Sequence, residues 1–223
     1  MEVIEITPDV FVVGGSMLSG YEDAAVYLIK DGDTSALIDA GTGEYTDVIL
    51  QHIEECGISP SNIAYIFVTH CHFDHTGGIN GLRDKTNALV AAHAKDAVFI
   101  TSGDMDVTGA SWYGGFFAPT PVDIIVTENK REFPLEKLTV TMHHTPGHSP
   151  GSCVYTVRSD NKLVLFGQDV HGPIGGMILK SDKALYKKSL QFLLSLDADI
   201  LCEGHFGVIR GKDEISKFIS SFL

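Results

Sequence analysis

The 223-residue chain is poor in several features that would announce a class of protein. Its four cysteines, Cys56, Cys71, Cys153 and Cys202, contain no CxxC pair. That argues against a disulfide scaffold or a cysteine zinc knuckle and points to reduced thiols in a cytoplasmic setting. No apolar run approaches the roughly 20 residues of a membrane span, and the start MEVIEITPDVFVV has neither a basic end nor a small-residue cleavage site. The expectation is a cytoplasmic protein without a membrane partner. Basic residues are scarce, 16 against 29 acids for a net charge of −13. Proteins that grip phosphate backbones carry the opposite sign, so no nucleic-acid partner is expected. Linkers and low-complexity segments are missing too, and the 44% apolar content excludes a disordered chain. Residues 1–223 read as one domain.

What is present is a succession of short elements. Strand-like runs cover Val3–Ile6, Val10–Val13, Ala24–Ile29 and Ser35–Ile38, the last two joined by the turn Asp31-Gly32-Asp33. The period then changes. Val48, Ile49, His52, Ile53 and Cys56 fall at helical spacing within Thr46–Cys56, and Gly57 supplies a stop. Strands follow at Ile63–Val68 and Ala88–Ala92, with a short helix from near Gly77 between them and another from Ala94.

Residues 101–122 read as a long loop or broken helix displaying the only tryptophan. Strands resume at Ile124–Val126, Leu138–Met142, Ser152–Val157 and Lys162–Phe166. A helix over Lys183–Leu196 is expected to bury Leu185, Leu190, Phe192, Leu193 and Leu196. Strand Asp199–Cys202 and a helix from Lys212, with an apolar stripe of Ile215, Phe218, Ile219 and Phe222, close the chain. Each half runs from β-rich to helical, which suggests two sheets with helices outside.

Ten histidines are distributed unevenly. The run Thr69-His70-Cys71-His72-Phe73-Asp74-His75 follows a predicted strand, as do His148, Asp169 and His205. Strand ends converge on one sheet edge, so residues distant in sequence can meet there. In an extended loop residues i and i+2 point the same way, which lets His70 and His72 hold one ion. Asp74 and His75, where the chain turns, reach a second. His148 can complete the first site and His205 the second, with Asp169 between them. Imidazole and carboxylate donors suit zinc and similar borderline ions.

The block HCHFDH with His148, Asp169 and His205 resembles the ligand set of the metallo-β-lactamase superfamily. So do Leu37-Ile38-Asp39-Ala40-Gly41, Thr145-Pro146-Gly147-His148-Ser149-Pro150-Gly151-Ser152 and Glu203-Gly204-His205. The resemblance covers nearly the whole chain. It implies an αββα sandwich, two mixed β-sheets flanked by helices, with Asp39 supporting the ligand loop. It also implies two divalent ions, zinc first and iron or manganese as alternatives. His70, His72 and His148 would hold one ion, Asp74, His75 and His205 the other, and Asp169 would bridge. A bridging hydroxide would be the nucleophile, with Asp74 the catalytic residue that orients it and accepts its proton.

Departures from particular members narrow the reaction. A bridging Asp and the absence of a leader separate the chain from secreted β-lactamases. Only 18 residues follow His205, too few for the helical domain of glyoxalase II. Gly172 stands where quorum-quenching lactonases place a tyrosine. The expected activity is hydrolysis of a small ester, thioester or lactone. The alternative is a mononuclear iron oxygenase resembling persulfide dioxygenases, built on His70, His148 and Asp169.

The remaining candidates carry two readings each. Trp112, Tyr113, Phe116 and Phe117 form either a substrate-facing wall or a cluster that pins the long loop. His171 is a partner of the ligands, a leaving-group acid, or a solvated loop residue. Cys71 and Cys202 are expected to pack in the interior, His93 to cap the following helix, and His52, His143 and His144 to stay outside the chemistry. Lys180, Tyr186 and Arg210 are expected on solvated faces. The partner is a small-molecule substrate; oligomeric state is not written in the sequence.

Overall fold

The computed structural model describes residues 3–172 and 174–223. The first half contains β1 (Ile4–Thr7), β2 (Val10–Gly14), β3 (Val26–Ile29), β4 (Ser35–Ile38), α1 (Thr46–Glu55), β5 (Ile63–Phe67), α2 (Phe73–Thr76) and α3 (Ile79–Thr86), then β6 (Leu89–His93), α4 (Ala94–Ser102) and β7 (Ile124–Val126). The second half contains β8 (Lys130–Pro134), β9 (Thr139–His144), β10 (Cys153–Ser159), β11 (Lys162–Gln168), α5 (Lys183–Ser195), β12 (Ile200–Glu203), β13 (Gly207–Arg210) and α6 (Lys212–Ser220).

The strands make two mixed sheets. One has seven strands in sequential order β1 to β7, antiparallel up to β4 and parallel beyond it. The other runs β13-β12-β11-β10-β9-β8 and is antiparallel except for the β11–β12 pair. Alternation along each strand sends side chains to two buried faces. Tyr27, Ile29, Ile38 and Phe67 of the first sheet meet Phe133, Met142, Tyr155 and Phe166 of the second in the central layer. Phe67 lies 5.4 Å from Tyr155 and 4.8 Å from Phe133, a tilted aromatic junction across the sandwich.

Outside the first sheet, Leu37 and Ile66 pack under Ile49 and Ile53 of α1, Leu82 of α3 and Ile100 of α4. Outside the second, Leu165 and Leu201 pack under Leu190 and Leu193 of α5 and Ile215 and Ile219 of α6. The layers are therefore helix, sheet, sheet, helix, the αββα sandwich expected. Among the described residues no helix is long and apolar enough to cross a membrane.

Several expectations are corrected. Strand β3 starts at Val26, not Ala24, because Ala24 and Ala25 spend their N–H groups on the carbonyls of Asp74 and Gly204. Their hydrogen bonds go to the ligand loops instead of the ladder. Strands β8 and β13 were not anticipated. They are the two edges of the second sheet, and each mixes charged or glycine residues with few apolar ones, as edges do.

Helix α5 buries Tyr186, Leu190 and Leu193 while Leu185 and Phe192 are exposed. The helix is turned by its N-terminal contacts: the backbone of Tyr186 sits so close to Gly147 that a Cβ there would lie 2.1 Å from the Tyr186 nitrogen. The helix near Gly77 is two pieces, α2 and α3, separated by the pair Gly77-Gly78. A Cβ at Gly78 would meet the Ala40 carbonyl at 2.1 Å, so this pair lets the ligand-bearing turn press on the end of β4.

Candidate metal centre

Both sheets end their strands toward one rim. The loop after β5 brings His70, His72, Asp74 and His75; the loops after β9, β11 and β12 bring His148, Asp169 and His205. All but His205 are buried.

Three nitrogens converge. His70 Nε2 is 2.9 Å from His72 Nδ1 and 3.1 Å from His148 Nε2, and His148 Nε2 is 2.9 Å from His72 Nδ1. Donors on one tetrahedral ion at about 2.0–2.1 Å are spaced by roughly 3.3 Å, so the triangle has the size that an ion requires. The outer atoms fix the tautomer. The Thr69 hydroxyl donates to Asp39 at 2.6 Å and is left to accept from His70 Nδ1 at 3.1 Å, which turns the His70 Nε2 lone pair inward.

The second set is built alike. His75 Nδ1 donates to Asp39 Oδ2 at 2.7 Å and presents Nε2 to the site. His205 Nε2 lies 3.2 Å from Asp74 Oδ2 and 3.4 Å from Asp169 Oδ1. Asp169 spans the two sets: Oδ1 is 3.1 Å from His75 Nε2, and Oδ2 is 3.4 Å from His148 Nε2. His70, His72, His148 and Asp169 form one cluster of possible ligands, and Asp74, His75 and His205 another. His75 Nε2 and Asp169 Oδ1 are buried with no properly aligned hydrogen-bond partner. Such atoms carry a desolvation cost unless something else satisfies them, and a cation does. The donor sets fit divalent metal ions.

Electrostatics separate the two halves. Burial, then the neighbouring imidazoles, holds His70 well below the usual histidine range, and burial with His148 beside it brings His72 down to about 3. At His75 burial opposes charge, but the carboxylates of Asp169, Asp74 and Asp39 outweigh it and lift the pKa far up. At His205 burial again opposes, and the adjacent carboxylates of Asp169 and Asp74 raise it to about 10. The histidine partners in turn hold Asp169 well below the usual carboxylate range, against its burial.

Buried acids frame the site. Asp39 sits at φ 63°, a strained position for a non-glycine residue, and takes bonds from Thr69 and His75. Asp96 of α4 accepts from the Cys71 and Gly151 N–H groups and from the Ser149 hydroxyl, tying the first ligand loop to the His148 loop. Glu203 accepts from the N–H groups of His205 and Phe206 through one oxygen and from His171 Nδ1, at 2.8 Å, through the other. The sequence reading missed Asp96; Glu203 stood in the block Glu203-Gly204-His205 of the resemblance, but without an assigned role.

The rest of the sequence candidates divide. A cavity of about 180 Å³ opens on the site, lined by His72, Asp74, Trp112, Tyr113, Asp169, His171, Leu179 and His205 among others. His171 is thus at the cavity wall and held by Glu203. Burial and the charges of Asp74 and Asp169 push the Tyr113 phenol up, so it stays protonated. Phe117 is a correction: it is buried in the core, edge-on to Phe73, because the loop turns inward there. Phe116 is also off the wall; it points to solvent without lining the cavity. Cys71 and Cys202 are buried and unpaired, and His93 caps α4 by accepting from the Lys95 N–H. Tyr186 is not solvated; it is buried and donates to the Val170 carbonyl, fastening the Asp169 loop to α5.

Known proteins place this geometry in a family. The family model of the metallo-β-lactamase superfamily matches residues 20–205. A probable metallo-hydrolase of Methanocaldococcus jannaschii is 30% identical over 147 residues, 66% of this chain and 68% of that protein. Thioesterase pkgB of Emericella nidulans is 26% identical over 198 residues, 87% of this chain but 49% of that protein, so the chain spans about half its length. Among solved structures, native FEZ-1 metallo-β-lactamase from Legionella gormanii superposes with a TM-score of 0.83 at 20% identity, covering 99% of this chain and 92% of that one. A motif mutant of the Cronobacter sakazakii metallo-β-lactamase gives 0.82 at 23% identity, covering 100% and 94%. These two likenesses show the fold. The family match over most of the chain shows more: this protein belongs to the metallo-β-lactamase superfamily.

Proposed function

We propose that the protein is a two-metal hydrolase of a small ester, thioester or lactone. The observation that carries this reading is the position of Asp169, with one oxygen toward each donor set. A mononuclear oxygenase would leave Asp74, His75 and His205 idle, although these three gather within ligand distance of one another. The names of the relatives, metallo-hydrolase and thioesterase, support the same class.

Divalent ions bound there, with zinc the best match to the donors, supply an acidified water and an electrophile for a carbonyl oxygen. The chain supplies the rest. Asp74 stands at the cavity wall beside His205, placed to orient the attacking water and to accept its proton. Asp39 and Thr69 hold the His75 and His70 rings in the tautomers that face inward. The Tyr113 phenol lines the same cavity as a neutral hydrogen-bond donor. Trp112 and Leu179 restrict water at its opening.

The test is a panel of short acyl thioesters, aryl esters and lactones assayed before and after chelation. Hydrolysis of one class, lost on chelation and restored by zinc, is the expected result. Turnover indifferent to metal removal overturns the reading.

A further inference from the structure

The cavity over the donor sets is small. Its volume, about 180 Å³, is below the roughly 300–1,000 Å³ that encloses a drug-sized ligand. Only the reacting portion of a larger substrate fits inside, so whatever is attached to it must leave across the rim.

That rim is apolar and exposed. Trp112 is 59% and Tyr113 36% exposed on the wall, and Met177 and Ile178 are 95% and 54% exposed on the turn that carries Leu179 into the cavity. Phe206, 60% exposed, follows His205 and packs its ring 5.0 Å from that of His171, both histidines lining the cavity. Large side chains left this bare around one opening mark a binding surface. Among the described residues no lysine or arginine lines the cavity. The base nearest to it in sequence, Lys180, is turned over the Phe99 ring, 5.7 Å from its centroid. A charged group on the part of the substrate that crosses this rim would find no lysine or arginine of the cavity wall to pair with.

We infer that the substrate carries an uncharged hydrocarbon tail, which lies across Trp112, Met177, Ile178 and Phe206 while its carbonyl end enters the cavity. The inference rests on the hydrolase reading and gives its substrate class: a neutral, medium-chain acyl ester, thioester or lactone. A tail on an open rim buries one side of each methylene, for a gain in affinity of about twofold per methylene.

The lone tryptophan reports on the rim, and the test needs no turnover. Metal-loaded protein is titrated with butanamide and octanamide, non-ionic amides that differ by four methylenes, and Trp112 emission is followed. About 16-fold tighter binding of octanamide, with a blue shift, is expected. The double variant Met177→Ser, Phe206→Ser should cut that ratio to about fourfold or less, and both residues are exposed enough for the fold to persist, which thermal unfolding checks.

Equal dissociation constants for the two amides, or an undiminished ratio in the variant, overturn the inference. So does a blue shift produced only by phosphatidylcholine vesicles, which would make the rim a lipid-docking surface. Because the readout is binding, an enzyme that hydrolyses none of the panel above can still show the chain-length ratio; the two readings fail separately.

Discussion

In the proposed mechanism Asp74 is the residue on which the chemistry turns. It belongs to the second donor set, lies 3.2 Å from His205 Nε2 through Oδ2 and faces the cavity. Asp74→Ala removes a ligand and a proton acceptor together, and we expect kcat on the best substrate to fall by roughly a thousandfold. Near wild-type kcat in a folded variant would contradict the assignment.

The two donor sets should also load differently with pH. His70 and His72, held low by burial and by neighbouring imidazoles, are already neutral at pH 7 and release no proton. His75 and His205 are lifted by Asp169 and Asp74, so each is an imidazolium at pH 7 and must lose its proton before it ligates. Affinity at the second set should therefore rise with pH, by about tenfold per unit for each proton displaced, up to pH 10. Calorimetric titrations in buffers of different ionisation enthalpy measure this. Equal proton release at both steps would contradict it.

At the scale of elements, the site is a junction of loops held by buried acids. Asp96 accepts three hydrogen bonds from residues 25 to 55 positions away. Asp96→Ala leaves the Cys71 and Gly151 N–H groups unpaired in the interior and the Ser149 hydroxyl with Ser152 alone, and a loss of about 3 kcal/mol is expected in urea unfolding. A loss below about 1 kcal/mol would show that Asp96 does not join the ligand loops.

This scale also divides what could be read from the sequence from what could not. The ligands were legible because each follows a strand and the strand periods were clear. Asp39 was legible through its motif. Asp96 was not, since its partners come from other loops and leave no local spacing, and the reach of Glu203 to His171 was hidden for the same reason. The facing of Phe117 stayed open between wall and loop-pinning cluster because a segment of 22 residues carries no period from which it could be derived. The face of α5 was misassigned because contact with Gly147, which no helical periodicity encodes, sets its rotation. The charged edge strand β8 lacked the apolar alternation that reveals a strand.

Over the whole molecule, the sandwich explains why an acidic chain tolerates so dense a cluster of buried histidines and carboxylates. The central aromatic layer and two helix-covered outer faces fix the strands, and the strand ends deliver donors from sites as distant in sequence as His70 and His205 to one rim. Buried donor atoms without an aligned partner, such as His75 Nε2 and Asp169 Oδ1, are costly, and a bound ion would relieve that cost. The most direct test is elemental analysis of protein purified without chelators, counted per chain and matched to restoration of hydrolysis by the same metal. Two divalent ions per chain, zinc or a mixed pair, are expected. A single iron with oxygen uptake, or no metal after reconstitution, would contradict the two-metal centre.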